Sequence, residues 1–453
     1  MPPFAYLPPY RALFRVLSAC PALLMAISCF RVSAQVPQTF SCSHAKQTTH
    51  LSAASIYSDK VSDSQPAFGF DLATVPTRFN GNSCSAAKPF FFSIALRDGN
   101  YRVTLQMGGP EESVNTVRAE SRRLMVYQER VAAGAIESIV FDVNVRTPTI
   151  TNATPANNGE PLTVHLKPRE VGAPDWDSKL TLEFNGSNPS VRSIEIRPVT
   201  QRPTVYLAGD STVVDQDKEP WAAWGQMLPN FFGPDIAIAN EAESGETIKS
   251  FESERRFAKI FSTLRAGDFL LIQFAHNDQK PGNGFVPIPE YKNLMRKYVA
   301  AARTAGATPI LVTSMNRRTF APDGHITQTL GEYPQATRDV AVEQNVALLD
   351  LNTMSKTLYE ALGEEGALHA FVHYAANTFP DQTEELKDDT HFNSYGALEL
   401  TKCVVQSIRD QQLPLARFLK PNLPVFDPAH PGDFTEFHLP PSPMVSTTTP
   451  YGH

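Results

Sequence analysis

A serine hydroxyl attacks a carbonyl well only when a nearby imidazole takes its proton, and the imidazole needs a carboxylate on its other nitrogen. Residue types that can meet those needs stand at separate places in this chain. Residues 205–212 read V-Y-L-A-G-D-S-T, an apolar run that stops abruptly at Gly209-Asp210-Ser211. Ser211 is the candidate nucleophile. His391, in the block D-D-T-H-F-N at 388–393, is the candidate base. Asp388 or Asp389 can orient it from the same loop. The chemistry that uses this set is acyl transfer, whose tetrahedral intermediate needs donors aimed at its oxygen. The backbone N–H groups of Ser211 and Gly245 and the side-chain amide of Asn277 are the candidate donors. A glycine suits this role because a backbone without Cβ allows close approach.

Taken singly, each residue also has a structural reading. Ser211 is then a turn serine, Asp388 or Asp389 an acidic helix start, and Asn277 a strand-end cap. His276 either contacts substrate or packs. Trp221 and Trp224 either border a sugar site or belong to the core. Asp210 is expected to hold the turn by hydrogen bonds.

The elements that must position these residues alternate. Strand-like runs at 204–208, 236–239, 268–274, 308–314 and 346–350 are separated by helical stretches at roughly 247–264, 289–305 and 334–345, with a last one at 393–411. Alternation of this length implies a parallel sheet covered by helices on both faces. The blocks around Ser211, Gly245 and Asn277 each follow a strand directly, so they converge on one sheet edge, where open α/β folds place ligands. Residues 35–200 read differently. The runs 90–96 and 101–105 flank Asp98-Gly99 and predict a hairpin. Further β-rich runs at 138–146, 163–166, 179–184 and 191–196, with no long helical period, predict a β-sandwich. Trp176, between Asp175 and Asp177, reads as a sandwich-edge tryptophan or as a platform for a sugar. Residues 197–203 form a proline-flanked linker. From 413 to 453 the chain is Pro-rich and is expected to be irregular, packed at first and disordered at its end.

The motifs of this half, in their order, resemble the SGNH (GDSL-type) hydrolases, and most closely the branch with rhamnogalacturonan acetylesterases. The likeness covers about residues 204–411. It rests on G-D-S-T-V, on W-G-Q at 224–226, on S-G-E-T, on H-N-D at 276–278, and on D-D-T-H-F-N-x-x-G-A ending at Gly396-Ala397. The resemblance implies a three-layer α/β/α, flavodoxin-like domain. It implies Ser211 as nucleophile, His391 as base, and Asp388 rather than Asp389 as the orienting acid. The oxyanion roles fall on Ser211, Gly245 and Asn277. Ala275 stands where the family has glycine, which would displace Asn277 if that position required a positive φ. The N-terminal half looks like the galactose-binding-like sandwich attached to some members.

The chain has 453 residues, enough for two or three domains, with a hydrophobic fraction of 42% and a charged fraction of 19%. Residues 1–34 read as an export signal: Arg11 and Arg15, an apolar stretch at 16–30 too short to span a membrane, then Val32-Ser33-Ala34 for cleavage. The net charge is −7, and removing that segment takes away three arginines and no acid, leaving −10. Nucleic acid and anionic membrane surfaces are therefore poor partners. In an oxidising compartment Cys42 and Cys84 are expected to pair, while Cys403 sits in an apolar helical pattern. No Cys/His cluster has zinc spacing, and neither metal nor cofactor is expected. The expectation is a secreted or periplasmic, monomeric serine esterase acting on an acetylated plant polysaccharide, most of all rhamnogalacturonan. The contrasting expectations are acetylated xylan, a lipid ester, or a glycan-binding protein without catalysis.

Overall fold

Val205 and Leu207 pack on one side of their strand, Tyr206 and Ala208 on the other, and both sides are buried. That division generates the α/β half in the computed structural model, which describes residues 37–59, 66–153, 159–282 and 284–451. Five parallel strands lie in the order Ala237–Asn240, Thr204–Ala208, Phe269–Ile272, Thr308–Val312 and Ala347–Leu349. This is the 2-1-3-4-5 order of flavodoxin-like sheets. On one face Val205, Leu207, Leu271 and Val312 meet Leu400, Cys403 and Val404 of the Ser394–Asp410 helix. On the other, Ala208, Leu270 and Leu311 meet Phe251, Ile260, Met295 and Val340 of the remaining helices. The helices cover both faces because each strand is apolar on both.

The expected helix at 247–264 is two helices, Ile248–Ser253 and Arg256–Thr263, broken where Arg255 takes φ +66°. The break lets the Arg256 guanidinium grip Glu170 of the N-terminal half through two hydrogen bonds of 3.0 and 2.5 Å. The helix Leu351–Ala367 and the antiparallel strand pair Phe371–Tyr374 and Leu386–Phe392 are not among the elements expected from sequence.

The N-terminal region is all-β. A seven-stranded and a five-stranded sheet enclose a core that includes Phe40, Phe90, Phe92, Leu105, Phe184 and Ile194. The hairpin expected around Gly99 is not there. Phe90–Ala95 pairs with Phe68–Asp71 and Lys179–Ser187, whereas Gly99–Met107 pairs with Glu137–Val145 and Ser190–Pro198 in the opposite sheet. Phe90 to Ile94 are all buried, as befits a central strand, so the two runs face each other across the core instead of lying side by side. Cys42 and Cys84 are disulfide-bonded with Cα atoms 5.6 Å apart, and Cys403 is buried. Trp176 is buried beside Ile150 and Val164 with the Arg146 guanidinium 4.6 Å from its ring, so it is not a sugar platform.

Arginines, two of them buried, tie the β-rich region to the α/β half. Arg123 pairs with Asp215 at 2.8 Å, Arg122 with Glu219 at 2.6 Å, and Arg169 with Glu243 at 2.6 Å. The described residues from Pro37 on form one compact unit. The C-terminal stretch is irregular and packed, as expected for its first part, and residues 452–453 at its end lie outside the described residues. It packs on the body through Phe434 and Phe437, forms a bridge between Glu219 and Val445, and is described as far as Tyr451. The segment read as an export signal lies outside the described residues, among which no helix is long and apolar enough to cross a membrane.

Candidate active site

The Thr204–Ala208 strand ends at Gly209, and the next three residues fold into a tight turn. Asp210 makes that turn: its Oδ1 accepts from the Thr212 N–H at 3.0 Å and the Thr212 hydroxyl at 2.7 Å, and its carbonyl accepts from Val213 and Val214. Burial pushes the Asp210 carboxyl above its ordinary range. A Cβ on Gly209 would stand 2.6 Å from Val213 Cγ2 and 3.1 Å from the Gln273 carbonyl, so only glycine lets the turn close. Ser211 is thereby held at the sheet edge, 1% exposed, with its carbonyl accepting from Gln216 at 3.0 Å.

His391 reaches Ser211 from 180 residues away: its Nε2 lies 2.9 Å from Ser211 Oγ. His391 Nδ1 lies 2.7 Å from Asp388 Oδ2. A carboxylate can only accept, so Nδ1 carries the proton and Nε2 presents its lone pair to the serine hydroxyl. These residues sit on the Leu386–Phe392 strand and not on the loop expected from sequence. Its partner advances by one residue, from Phe371 to Val372, while it runs from Phe392 back to Asp388. The extra residues bulge out and re-aim His391, a common use of bulges beside active sites. Asp388 Oδ1 closes the bulge by accepting from the Thr390 and His391 N–H groups at 2.8 and 2.9 Å. Burial alone would raise the Asp388 carboxyl; the imidazole and these two N–H groups outweigh it and hold the carboxyl below its ordinary range. Asp389 points elsewhere, pairing with Arg318 at 3.0 Å and His373 at 2.9 Å. The Trp221 indole meets the His391 ring edge-on, centroids 5.9 Å apart.

The candidate oxyanion donors come from three adjacent strand ends, with the Thr204–Ala208 strand of Ser211 lying between those that lead to Gly245 and Asn277. Gly245 has φ +81°, a region L-residues avoid. Among the described residues, neither the Ser211 nor the Gly245 N–H donates to a protein acceptor. Asn277 gives one amide N–H to the Glu246 carbonyl at 3.0 Å and keeps a second. Ala275 does not have a positive φ, so the methyl in place of the family's glycine is accommodated without backbone strain. Asp278, part of the H-N-D block but assigned no role from sequence, accepts from the Ile248 N–H at 2.8 Å and so ties the Asn277 turn to the Gly245 turn. Burial, with some repulsion from Asp210, pushes its carboxyl up to about 8. Gly245, Asn277, Lys167, Lys280 and Tyr451 line a cavity of about 420 Å³.

Two residues read from the sequence as either touching a sugar or packing are packed. Trp224 is fully buried in the core, its indole N–H donating to Gln273 at 3.0 Å. His276 is likewise sealed from solvent. Desolvation, reinforced by Arg317, holds its imidazole well below the usual histidine range, so it is a neutral packed ring. Both adjoin motifs that carry the site, and sequence adjacency does not reveal which way a side chain faces. Lys167 and Tyr451 escape a reading of the sequence because nothing near them in the chain marks them.

Residues 207–397 match the GDSL-like Lipase/Acylhydrolase family. Over 213 residues the chain is 41% identical to the rhamnogalacturonan acetylesterase RhgT of Bacillus subtilis strain 168, covering 47% of this chain and 91% of that one. It is 34% identical over 215 residues to YesY, a probable rhamnogalacturonan acetylesterase of the same strain, covering 47% and 94%. The solved structure of the Bacillus subtilis protein YxiM aligns with 84% of this chain and 99% of its own, at 21% identity and a TM-score of 0.45.

Proposed function

Since the chain belongs to the GDSL-like lipase/acylhydrolase family and is a serine ester hydrolase, we propose that it is an exported carbohydrate esterase that removes acetyl groups from rhamnogalacturonan. The observation that carries the chemistry is the hydrogen-bonded chain from Ser211 through His391 to Asp388. The substrate rests on the 41% identity to a protein named for this activity.

In this mechanism Ser211 Oγ attacks the acetyl carbonyl as His391 Nε2 takes its proton. Asp388 stabilises the imidazolium. The carbonyl oxygen becomes an oxyanion facing the Ser211 and Gly245 N–H groups and the Asn277 amide; one such donor is worth about 3–4 kcal/mol of barrier. Collapse expels the sugar oxygen, which receives the proton from His391. Water, deprotonated by the same imidazole, then attacks the acetyl-serine. Acetate leaves and Ser211 regains its proton.

The test is acetate release. The wild type should liberate acetate from a chromogenic acetyl ester and from acetylated rhamnogalacturonan faster than from acetylated xylan. Ser211→Ala should abolish both while melting at the same temperature. Full activity in that variant sinks the mechanism, and a preference for xylan sinks the substrate. Export is tested by expressing the full chain and sequencing the mature N-terminus, expected near Gln35; retention of residues 1–34 in the cytoplasm rejects it.

A further inference from the structure

The reading of Gly245 as an oxyanion donor leaves open what keeps its peptide in place. The amide in question joins Ser244 to Gly245, and its two polar ends belong to one rigid planar unit. If its N–H faces the reacting oxygen, its C=O faces the opposite way. That carbonyl receives a hydrogen bond from Lys167 Nζ at 2.7 Å. The ammonium is held there by an ion pair with Glu246 and by Glu254 at 3.9 Å. The Lys167 backbone N–H donates to Glu170 at 2.8 Å, and Glu170 is gripped by Arg256. The arm is therefore anchored at both its backbone and its tip.

We propose that Lys167 is a positioning residue for ester hydrolysis, acting by locking and polarising the Ser244–Gly245 peptide from behind. The inference rests on the esterase reading above and adds to it a residue outside the 207–397 family match. Two effects combine. A glycine at φ +81° has no side chain to resist rotation, and a flipped peptide would put the Ser244 carbonyl where the oxyanion must form. The ammonium on that carbonyl opposes the flip. A charge on the C=O also makes the N–H of the same amide a better donor, since hydrogen bonds in a chain polarise one another. Neither effect helps bind the ground-state ester, so the signature is in kcat and not in KM.

The experiment uses the full chain and p-nitrophenyl acetate, so it does not depend on which polysaccharide is the substrate. Lys167→Met should lower kcat about 10- to 100-fold, the range for losing a charged hydrogen bond, with KM within about twofold. The rate at which a p-nitrophenyl phosphonate modifies Ser211 should fall in parallel, because that adduct needs the same donors. Lys167→Arg should recover most of both. Arg169→Met breaks a neighbouring pair with Glu243 and should leave kcat nearly unchanged. A purely structural role would instead lower the melting temperature of both Met variants and cut their activities alike. Should Lys167→Met fail to fold, Lys167→Gln, which can still donate but carries no charge, is measured in its place, with an intermediate loss expected. Unchanged kcat in the folded variant overturns the proposal, as does a loss matched by Arg169→Met. Failure of the esterase reading is separately visible as an inactive wild type.

Discussion

Asp388→Asn is the sharpest probe of the site, because the structure dictates how the new amide must sit. Asp388 uses its two oxygens differently: Oδ1 accepts from two backbone N–H groups, and Oδ2 accepts from His391 Nδ1. In the variant the amide oxygen must stay toward the two N–H donors, since turning the NH₂ there would set donor against donor twice. The NH₂ then faces Nδ1, which must become the acceptor, and the ring proton moves to Nε2. Ser211 Oγ, 2.9 Å away, now meets an N–H where it needs a lone pair. The same change in a serine protease costs about 10⁴ in kcat, or roughly 5.5 kcal/mol at 1.36 kcal/mol per decade. The expected result is a loss of that order at neutral pH with p-nitrophenyl acetate, and little change in the melting curve, because all three hydrogen bonds survive in altered form. Asp389→Asn is the control. Its carboxylate is half exposed and among the described residues pairs with Arg318 and His373, contacts worth about 0–1 kcal/mol, so its activity should stay within about twofold of wild type. Retention of more than about a tenth of kcat by Asp388→Asn, or an equal loss in Asp389→Asn, would refute the tautomer argument.

Gly225→Ala should destabilise the fold by about 1–3 kcal/mol or more, because its Cβ would stand 2.2 Å from the Val213 carbonyl and 2.9 Å from Asn240 Nδ2. A urea midpoint equal to wild type would contradict it. Asp278 sets a pH dependence. Its folded carboxyl titrates at about 8, above its ordinary 3.8, so the folded state holds the proton more tightly than the unfolded chain. That contribution is complete below about pH 4 and is lost as pH climbs through about 8. Asp278→Asn does not titrate, so the wild-type stability minus the variant's should fall between pH 5 and pH 9; parallel urea midpoints at both values would rule the effect out.

The sequence alone determined what depends on covalent neighbours. Alternating apolar runs and helical periods marked the five parallel strands, and the residues directly after three of them carried Ser211, Gly245 and Asn277. Parallel strands must deliver such turns to one edge, so this part of the site was legible before any coordinates. Tertiary structure decided whatever turns on which surfaces meet. The runs around Gly99 looked like a hairpin, yet they lie in opposite sheets because each is apolar enough to face the core. Trp224 and His276 stand inside motifs of the site but point into the body, since the orientation of each depends on what packs behind it. The bulge that carries His391 to Ser211 has no local mark, because pairing with residues 371–374 creates it. Lys167 reaches Ser244 across 77 residues, and the C-terminal stretch runs on to Tyr451 beside Gly245. Such contacts are chosen by the total packing of distant elements, a sum that no local stretch of sequence contains.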